Sequence, residues 1–533
     1  MLNNFKKVVF LFCCVSFIVS CTSEIDDLKP INQETSVSVF DNPDSYKSFL
    51  AKIYAGISIS GQQGPAGNPD LAGLDEGFSN YLRLYWKLQE LTTDEAVIGW
   101  NDGTIKDLHY QNWTPGNEFI RTMYDRILYQ IGLVNEFLRQ TSDDNLNERG
   151  VDASLREDIQ TFRAEARFMR ALSYYHALDF YRNIPFTTEA DPIGAFLPKQ
   201  TNAQDLFTYI ESELIAIDSE LVPAGLNEYG RADQAAGWML LSKLYLNAEV
   251  YLGTGNGRYA DARIQAEKVI NSNVFSLEPN YEYLFLADND LSNEIIFPIL
   301  FDGLYTQAYG GMTFLVHAPV GGSMSPSDFG VSGGWAGVRT TSAFVQKFPG
   351  MENSADGREL FYAAGQTLEI ENISKFTDGY AIAKYKNVDR SGSAGSDPSG
   401  EFPDTDFPLF RLAEAYLIYA EASLPSRGGG GDANTARDYI NLLRVRAYGD
   451  TSGNISTSDL TEDFILDERA RELYWECHRR TDLVRFGKFT TNSIWPWKGN
   501  VPGGTTTEAF RNIFPIPTSD LSANPNLKQN PGY

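Results

Sequence analysis

Residues 162–181 read FRAEARFMRALSYYHALDFY, and this stretch decides the fold. Ala164, Phe168, Ala171, Tyr175 and Leu178 recur at intervals of three and four, the spacing of one helical face. Ala164, Ala166, Ala171 and Ala177 are small enough to let a neighbouring helix approach closely. With the residues before it, the pattern predicts a helix over 154–181. Asn183-Ile184-Pro185 ends it, because proline cannot continue a helix. Arg163, Arg167 and Arg170 fall on one side at spacings of four and three, with Glu165 nearby. Guanidinium groups suit bidentate pairing between packed helices, so these charges read as a scaffold ion network and not as a site.

Working outward, the same periodicity recurs. Phe119, Met123, Ile127, Ile131, Val134 and Leu138 predict a helix over roughly 114–140. Further helices are expected near 203–219, 231–249, 259–271, 408–423, 432–447 and 459–476. On the N-terminal side, Asn42-Pro43-Asp44 looks like a helix start, followed by Tyr46, Phe49, Leu50 and Ile53 at helical spacing. The small–large alternation in successive helices resembles tetratricopeptide packing, although no clean period of about 34 residues is present. Residues 281–407 differ in character. They are rich in Gly, Ser, Pro and aromatic residues, and short apolar runs such as Glu294-Ile295-Ile296-Phe297 read as strands. The expected fold class is mostly α: irregular tetratricopeptide-like helical pairs with a loop-rich elaboration carrying short β-strands. The helical parts cover about 46–280 and 408–485 of a single domain over 46–533, with the loop-rich insertion at about 281–407. Such loops on a rigid scaffold are where binding surfaces form.

The N-terminus reads MLNNFKKVVFLFCCVSFIVSC over residues 1–21. Lys6 and Lys7 supply the basic end, and Val8 to Val19 the apolar run. That run is shorter than the ~20 residues a spanning helix needs and fits an export signal. Ile18-Val19-Ser20-Cys21 matches a bacterial lipobox, in which Cys21 carries the lipid. Residues 1–20 are then the signal peptide, and 21–45 a lipidated, polar tether. Two or more acyl chains make a stable anchor.

Composition narrows the function further. Lys+Arg total 44 against 70 Asp+Glu, a formal net charge of −26. Such a body repels nucleic acid and anionic headgroups, so no nucleic-acid partner is expected. Cys13 and Cys14 leave with the leader, Cys21 is acylated, and Cys477 stays free, so no intrachain disulfide is expected. The four histidines, His109, His176, His317 and His478, form no HExxH-type pair, and no metal site or cofactor is expected. Acidic loops leave room for a structural calcium without giving a readable motif. There is no nucleophile elbow, phosphate loop or dinucleotide fingerprint, and no catalytic residue is assigned. The chain reads as not an enzyme. A carboxylate pair for glycoside hydrolysis is the less favoured alternative, since its separation is geometric.

Four stretches together carry a family likeness: FRAEARFMRALSYYHALDFYRNIPF (162–186), FPLFRLAEAYLIYAEA (407–422), DERARELYWECHRRTDLVRFGKF (467–489) and FPIPTSDLSANPNLKQNPGY (514–533). They resemble, in order along the chain, the signatures of the SusD/RagB family of surface lipoproteins. The resemblance implies a mostly helical body with irregular tetratricopeptide-like pairs, held at the outer membrane by lipid on Cys21. It also implies a SusC-like TonB-dependent barrel transporter as partner and a captured glycan as cargo. In the 467–489 stretch the charges alternate in sign, which reads as an ion network between packed helices.

Neutral sugars are read by flat aromatic faces plus a few polar groups matched to hydroxyls. The segment NPDLAGLDEGFSNYLRLYWKLQELTTDEAVIGWNDG (68–103) resembles the subgroup of the family that binds starch-like α-glucans. By that resemblance Asp75, Arg83 and Trp100 take binding roles, with Asn101 or Asp102 as a nearby polar contact. Tyr305, Tyr309 and Trp335 are the aromatic candidates from the loop-rich middle. Asp75 and Arg83 could instead simply pair with each other. Trp86 and Trp238, on helices among apolar neighbours, read as core. The expected function is capture of starch-like α-glucan or maltooligosaccharide for delivery to the transporter. The alternative is the same uptake role for a different glycan or a peptide.

Overall fold

The computed structural model describes residues 39–40, 42–65, 67–71, 74–350 and 354–533. The leader, Cys21 and the tether up to residue 38 lie outside the described residues. The principal helices are α1 (Asp44–Ser58), α2 (Tyr81–Glu90), α3 (Glu118–Gln140), α4 (Ala153–Tyr181), α5 (Ala203–Ile217) and α6 (Gln234–Leu246). They continue with α7 (Tyr259–Asn271), α8 (Gly311–His317), α9 (Leu412–Ala422), α10 (Ala433–Tyr448), α11 (Glu462–Leu473) and α12 (Arg479–Arg485). Short polar side chains start many of them. Asn117 accepts from the amides of Phe119 and Ile120 at α3, and Asp152 from Leu155 at α4. Asp233 and Asp432 do the same at α6 and α10. Each satisfies an amide that the helix itself leaves unpaired.

Helix α4 packs against α3 on one side and α5 on the other, and α6 against α7, α7 against α9 and α9 against α10. This chain of paired helices is the expected irregular tetratricopeptide-like body. Along α4 the alanines at 164, 166, 171 and 177 are fully buried. Its arginines pair as scaffold. Arg167 binds Glu213 and Glu220, Arg170 binds Glu189 and Glu213, and Arg163 donates to the carbonyls of Leu138 and Thr141. Glu165 turns away from these and takes Arg231.

The strands are short: β1 (Val97–Ile98), β2 (Ile295–Ile299), β3 (Val338–Arg339), β4 (Phe361–Tyr362), β5 (Ala381–Ile382) and β6 (Phe407–Arg411). They form antiparallel pairs β1–β3, β2–β6 and β4–β5. The expected strand at 294–297 is present as β2. Its partner corrects the reading of 408–423 as one helix: residues 407–411 are strand, and the helix begins at Leu412. Pro408 is the reason. It disfavours helical geometry at the residue before it, and it sits opposite Pro298 where the ladder register shifts.

The C-terminal signature stretches are held by a buried ionic lattice. Arg411 gives both arms to Glu476 (2.7 and 2.9 Å) and also binds Glu294 (2.8 Å) and Glu472 (2.6 Å). Glu472 is shared with Arg358 and Arg446, and Arg358 also holds Asp356 and Glu468. Lys384 completes Glu476. Burial pushes the Glu468 and Glu472 carboxyls up, but the surrounding guanidinium groups win. Glu468 comes down to about 2, and Glu472 lies well below the ordinary range. A buried pair of this kind gives little net stability over an apolar isostere, yet removing one partner costs about 3–5 kcal/mol. Glu472 and Glu476 are therefore framework, not chemistry. Cys477, next to Glu476 in sequence, is free and buried.

Asp406, just before β6, is buried in the opposite electrostatic setting. Its oxygens accept from the Phe301 amide (2.7 Å) and the Tyr229 hydroxyl (3.0 Å), with no cation paired to it among the described residues. Burial pushes this carboxyl up to about 7, against the pull of those two donors and with the help of Asp290 and Asp404. A carboxyl whose folded value lies above its unfolded value of ~3.9 contributes most below that value. Its contribution is lost as pH rises through about 7. The difference in unfolding free energy between the wild type and Asp406→Asn is therefore expected to change by on the order of 3 kcal/mol between pH 4 and pH 8, the variant gaining on the wild type. Urea unfolding at several pH values checks this, and a constant difference contradicts it.

Candidate functional site

The antiparallel pair β1–β3 sets Ile98 against Val338 and Val97 against Arg339. Trp100 lies two residues past β1 and Trp335 three residues before β3, so the pairing brings the two indoles to one edge. Their ring centroids are 6.3 Å apart with planes inclined at 47°. The Trp100 Nε1–H donates to the Trp335 carbonyl (3.2 Å), which locks the two together. Gly337 makes this approach possible. A Cβ there would come within 2.2 Å of the Trp100 ring.

The two indoles form one wall of an open cleft of about 520 Å³. Tyr309 and Phe78 add aromatic surface, and Asp75, Arg83, Asn101 and Asp102 supply polar groups. Asp75 and Asn101 are exposed at the rim, whereas Arg83 is almost wholly buried. Its guanidinium lies 4.4 Å from the Phe314 centroid and 4.5 Å from that of Phe78. It donates to the Tyr309 carbonyl (3.1 Å). Burial lowers its pKa to about 9, partly offset by Asp102, Asp75 and Glu76, so it stays charged at neutral pH. Asp75 and Arg83 do not form the ion pair considered above: the Asp75 carboxylate accepts from the Gly77 amide (3.0 Å). Asn101 accepts from Lys106 (2.6 Å), which leaves its NH₂ group for a ligand.

Below the cleft lies Lys87. Its ammonium is buried against the Phe119 (4.1 Å) and Phe78 (4.8 Å) rings and has no hydrogen-bond partner. Burial drives its pKa well down, and the charge of Arg83 adds to this. The loops on either side are fitted closely. Arg83 and Glu76 both fasten the Tyr309 backbone, and the Tyr309 ring packs on Phe402 at 5.5 Å.

Seven of the eight site residues expected from the sequence thus converge on one cleft: Asp75, Arg83, Trp100, Asn101, Asp102, Tyr309 and Trp335. Tyr305 does not line it. Asp302 accepts from the amides of Leu304 and Tyr305 and folds a turn that leaves Tyr305 84% exposed. Phe78 is a lining residue the sequence reading missed. The only signal was an aromatic between Gly77 and the start of α2. Trp86 is buried core, as expected, and Trp238 is half-buried with its Nε1–H on Asp218. A second cleft, about 320 Å³, lies between α1 and β2 with mainly aliphatic walls. Its two tyrosines, Tyr54 and Tyr229, spend their hydroxyls on Glu165 and Asp406, so it offers no paired ring platform. Among the described residues, no group of three or more His, Cys, Asp or Glu is placed to hold a metal ion, and no helix is long and apolar enough to cross a membrane.

An aromatic cleft with a polar rim on a helical-pair scaffold is a surface suited to sugar rings. The SusD family model matches residues 318–533. A Bacteroides thetaiotaomicron protein named "Starch-binding protein SusD" is 37% identical, covering 97% of this chain and 96% of its own. The chain belongs to the SusD family. Two solved structures share the fold: surface glycan-binding protein A from Bacteroides fluxus and its namesake from Bacteroides thetaiotaomicron in complex with laminarihexaose. The first has a TM-score of 0.69 at 20% identity, covering 92% of this chain and 100% of its own. The second has a TM-score of 0.68 at 18% identity, covering 91% and 99%. The family consists of non-catalytic, surface-facing outer-membrane lipoproteins that bind glycans and work with SusC-like TonB-dependent transporters. This chain is a cell-surface glycan-binding protein of that kind.

The close fit at Gly337 gives a direct check on the cleft. Gly337→Ala is expected to push the Trp100 indole out of its place, altering the near-ultraviolet circular dichroism while the helical far-ultraviolet signal stays unchanged. An unaltered near-ultraviolet spectrum contradicts the geometry.

Proposed function

We propose that the cleft captures starch-like α-glucan or maltooligosaccharide and passes it to a SusC-like transporter. One observation carries this reading: two indoles inclined at 47°, held together by the Trp100 Nε1–H on the Trp335 backbone carbonyl, line one cleft with the polar rim. Adjacent sugar rings of a curving chain can each lie against one tilted face, whereas a flat, ribbon-like chain meets both poorly. Asp75, Asn101 and Asp102 offer acceptors and an amide donor for hydroxyls, and Arg83 shapes the floor and adds charge. The similarity to a relative named as starch-binding supports the same cargo. We also assign Cys21 as the lipid-bearing residue. The −26 charge leaves acyl chains, not a basic patch, to hold the body at the membrane.

Native gels containing amylose, amylopectin or pullulan test the cargo. The chain from residue 22 onward is expected to be retarded in them. Loss of a buried aromatic anchor typically costs about 2 kcal/mol, a roughly 30-fold weaker affinity, so Trp100→Ala should restore most of the mobility. No retardation of the unaltered chain in any of the three, with retardation in laminarin, moves the cargo to another glycan. Cys21→Ala is expected to abolish incorporation of labelled palmitate and to release the protein from the outer membrane. Labelling that persists in the variant contradicts the assignment.

A further inference from the structure

His317 ends α8 and lies beneath the Trp335 indole, stacked at 5.0 Å with the planes only 22° apart. It is 1% exposed. Its Nδ1 is 2.6 Å from the Gly333 carbonyl oxygen and its Nε2 is 2.8 Å from the Glu401 carbonyl oxygen. A carbonyl oxygen can only accept. A neutral imidazole has one N–H and one lone pair, so it can serve one of these oxygens and must turn a lone pair on the other. Only the imidazolium satisfies both. The short separations fit charge-assisted hydrogen bonds, and a cationic ring under an indole face is itself favourable.

We propose that His317 is a positioning residue, held as an imidazolium, whose two N–H donors and positive charge fix Trp335 in its binding orientation. This rests on Trp335 serving as a glycan platform. The two carbonyls are not equally rigid. Glu401 sits in a turn pinned by Asp397, which accepts from the amides of Ser399, Glu401 and Phe402. Gly333 lies in the segment 332–334, where Ser332 and Gly334 are exposed. When the ring loses a proton, the Gly333 carbonyl is the contact expected to lengthen; the Ser332 and Trp335 amides stay bonded to the Gly400 and His317 carbonyls, so the change falls on the stacked Trp335 indole. The other titratable or charged groups on the elements packed around His317 are Glu401 and Asp397 in that turn and Tyr309, whose ring meets Phe402. Arg83 and Lys87 on α2 face Phe314 of the same helix as His317.

The sign follows from the geometry. The charged ring belongs to the ordered platform, so binding is full at low pH and weakens as pH rises through the His317 titration. The test uses the full chain in detergent, labelled with ¹⁵N-histidine. Long-range ¹H–¹⁵N spectra distinguish protonated from lone-pair nitrogens, and His317→Gln assigns the signal among the four histidines. The expected result is two protonated nitrogens on His317 at low pH. Amylose affinity should fall about tenfold across the midpoint that the spectra give for His317, with a flat, weaker profile in His317→Gln. A His317 signal with one unprotonated nitrogen throughout the range of full binding overturns the proposal. So does an affinity profile that ignores its midpoint. If no glycan binds, the platform reading fails separately. The Trp335 indole resonance then decides: movement with the His317 midpoint supports the proposal, and a stationary resonance overturns it.

Discussion

The structure depends on shared carboxylates in a buried interior. Glu472 is held at once by Arg358, Arg411 and Arg446, which come from a loop, from β6 and from α10. Glu476 and Glu468, beside it in sequence, recruit Lys384, Arg444 and Arg471. Charges buried this deeply tolerate no missing partner, so the lattice specifies one arrangement of the C-terminal helices, β6 and the loop-rich middle. The strand β6 in turn pairs with β2. The aliphatic and aromatic core packs around this frame.

The cleft exploits that rigidity. Two residues of strand on each side, β1 and β3, are enough to place Trp100 beside Trp335, because their surroundings are fixed. Arg479 braces the segment before β1 through Asp94, with both nitrogen–oxygen distances 2.7 Å. On the far side Arg339 in β3 anchors to the carbonyls of Asp378 and Ile373. Preformed aromatic faces need little ordering when a ligand arrives, which lowers the entropic cost of capture. The polar rim is built from short loops, where Asp75 and Asn101 can meet hydroxyls without disturbing the framework.

The helical body was legible because it obeys one period. Residues 162–181 announce α4 by their apolar face and their small residues, and the alternating charges of 467–482 announce an ion network. The 407–411 strand was not legible. Its five residues are all buried, and a continuous apolar run does not reveal its period. At the site, the segment 68–103 gave Asp75, Arg83, Trp100, Asn101 and Asp102 through its family likeness, and Trp335 and Tyr309 came from loop aromatics. Phe78 escaped because a single phenylalanine beside a glycine carries no pattern. Tyr305 and Tyr309 look alike in sequence. Only the turn around Asp302 separates an outward ring from a lining one. The contact of His317 with Trp335 is a long-range fact that no local pattern holds.

The proposed site puts the glycan on one inclined indole pair, fixed by the β1–β3 pairing. A crystal of the protein grown with maltoheptaose tests it most directly. Neighbouring glucose rings are expected to lie against Trp100 and Trp335, with hydroxyls within hydrogen-bond reach of Asp75, Asn101 or Asp102. Sugar bound instead in the aliphatic cleft between α1 and β2, with both indoles left bare, would contradict it.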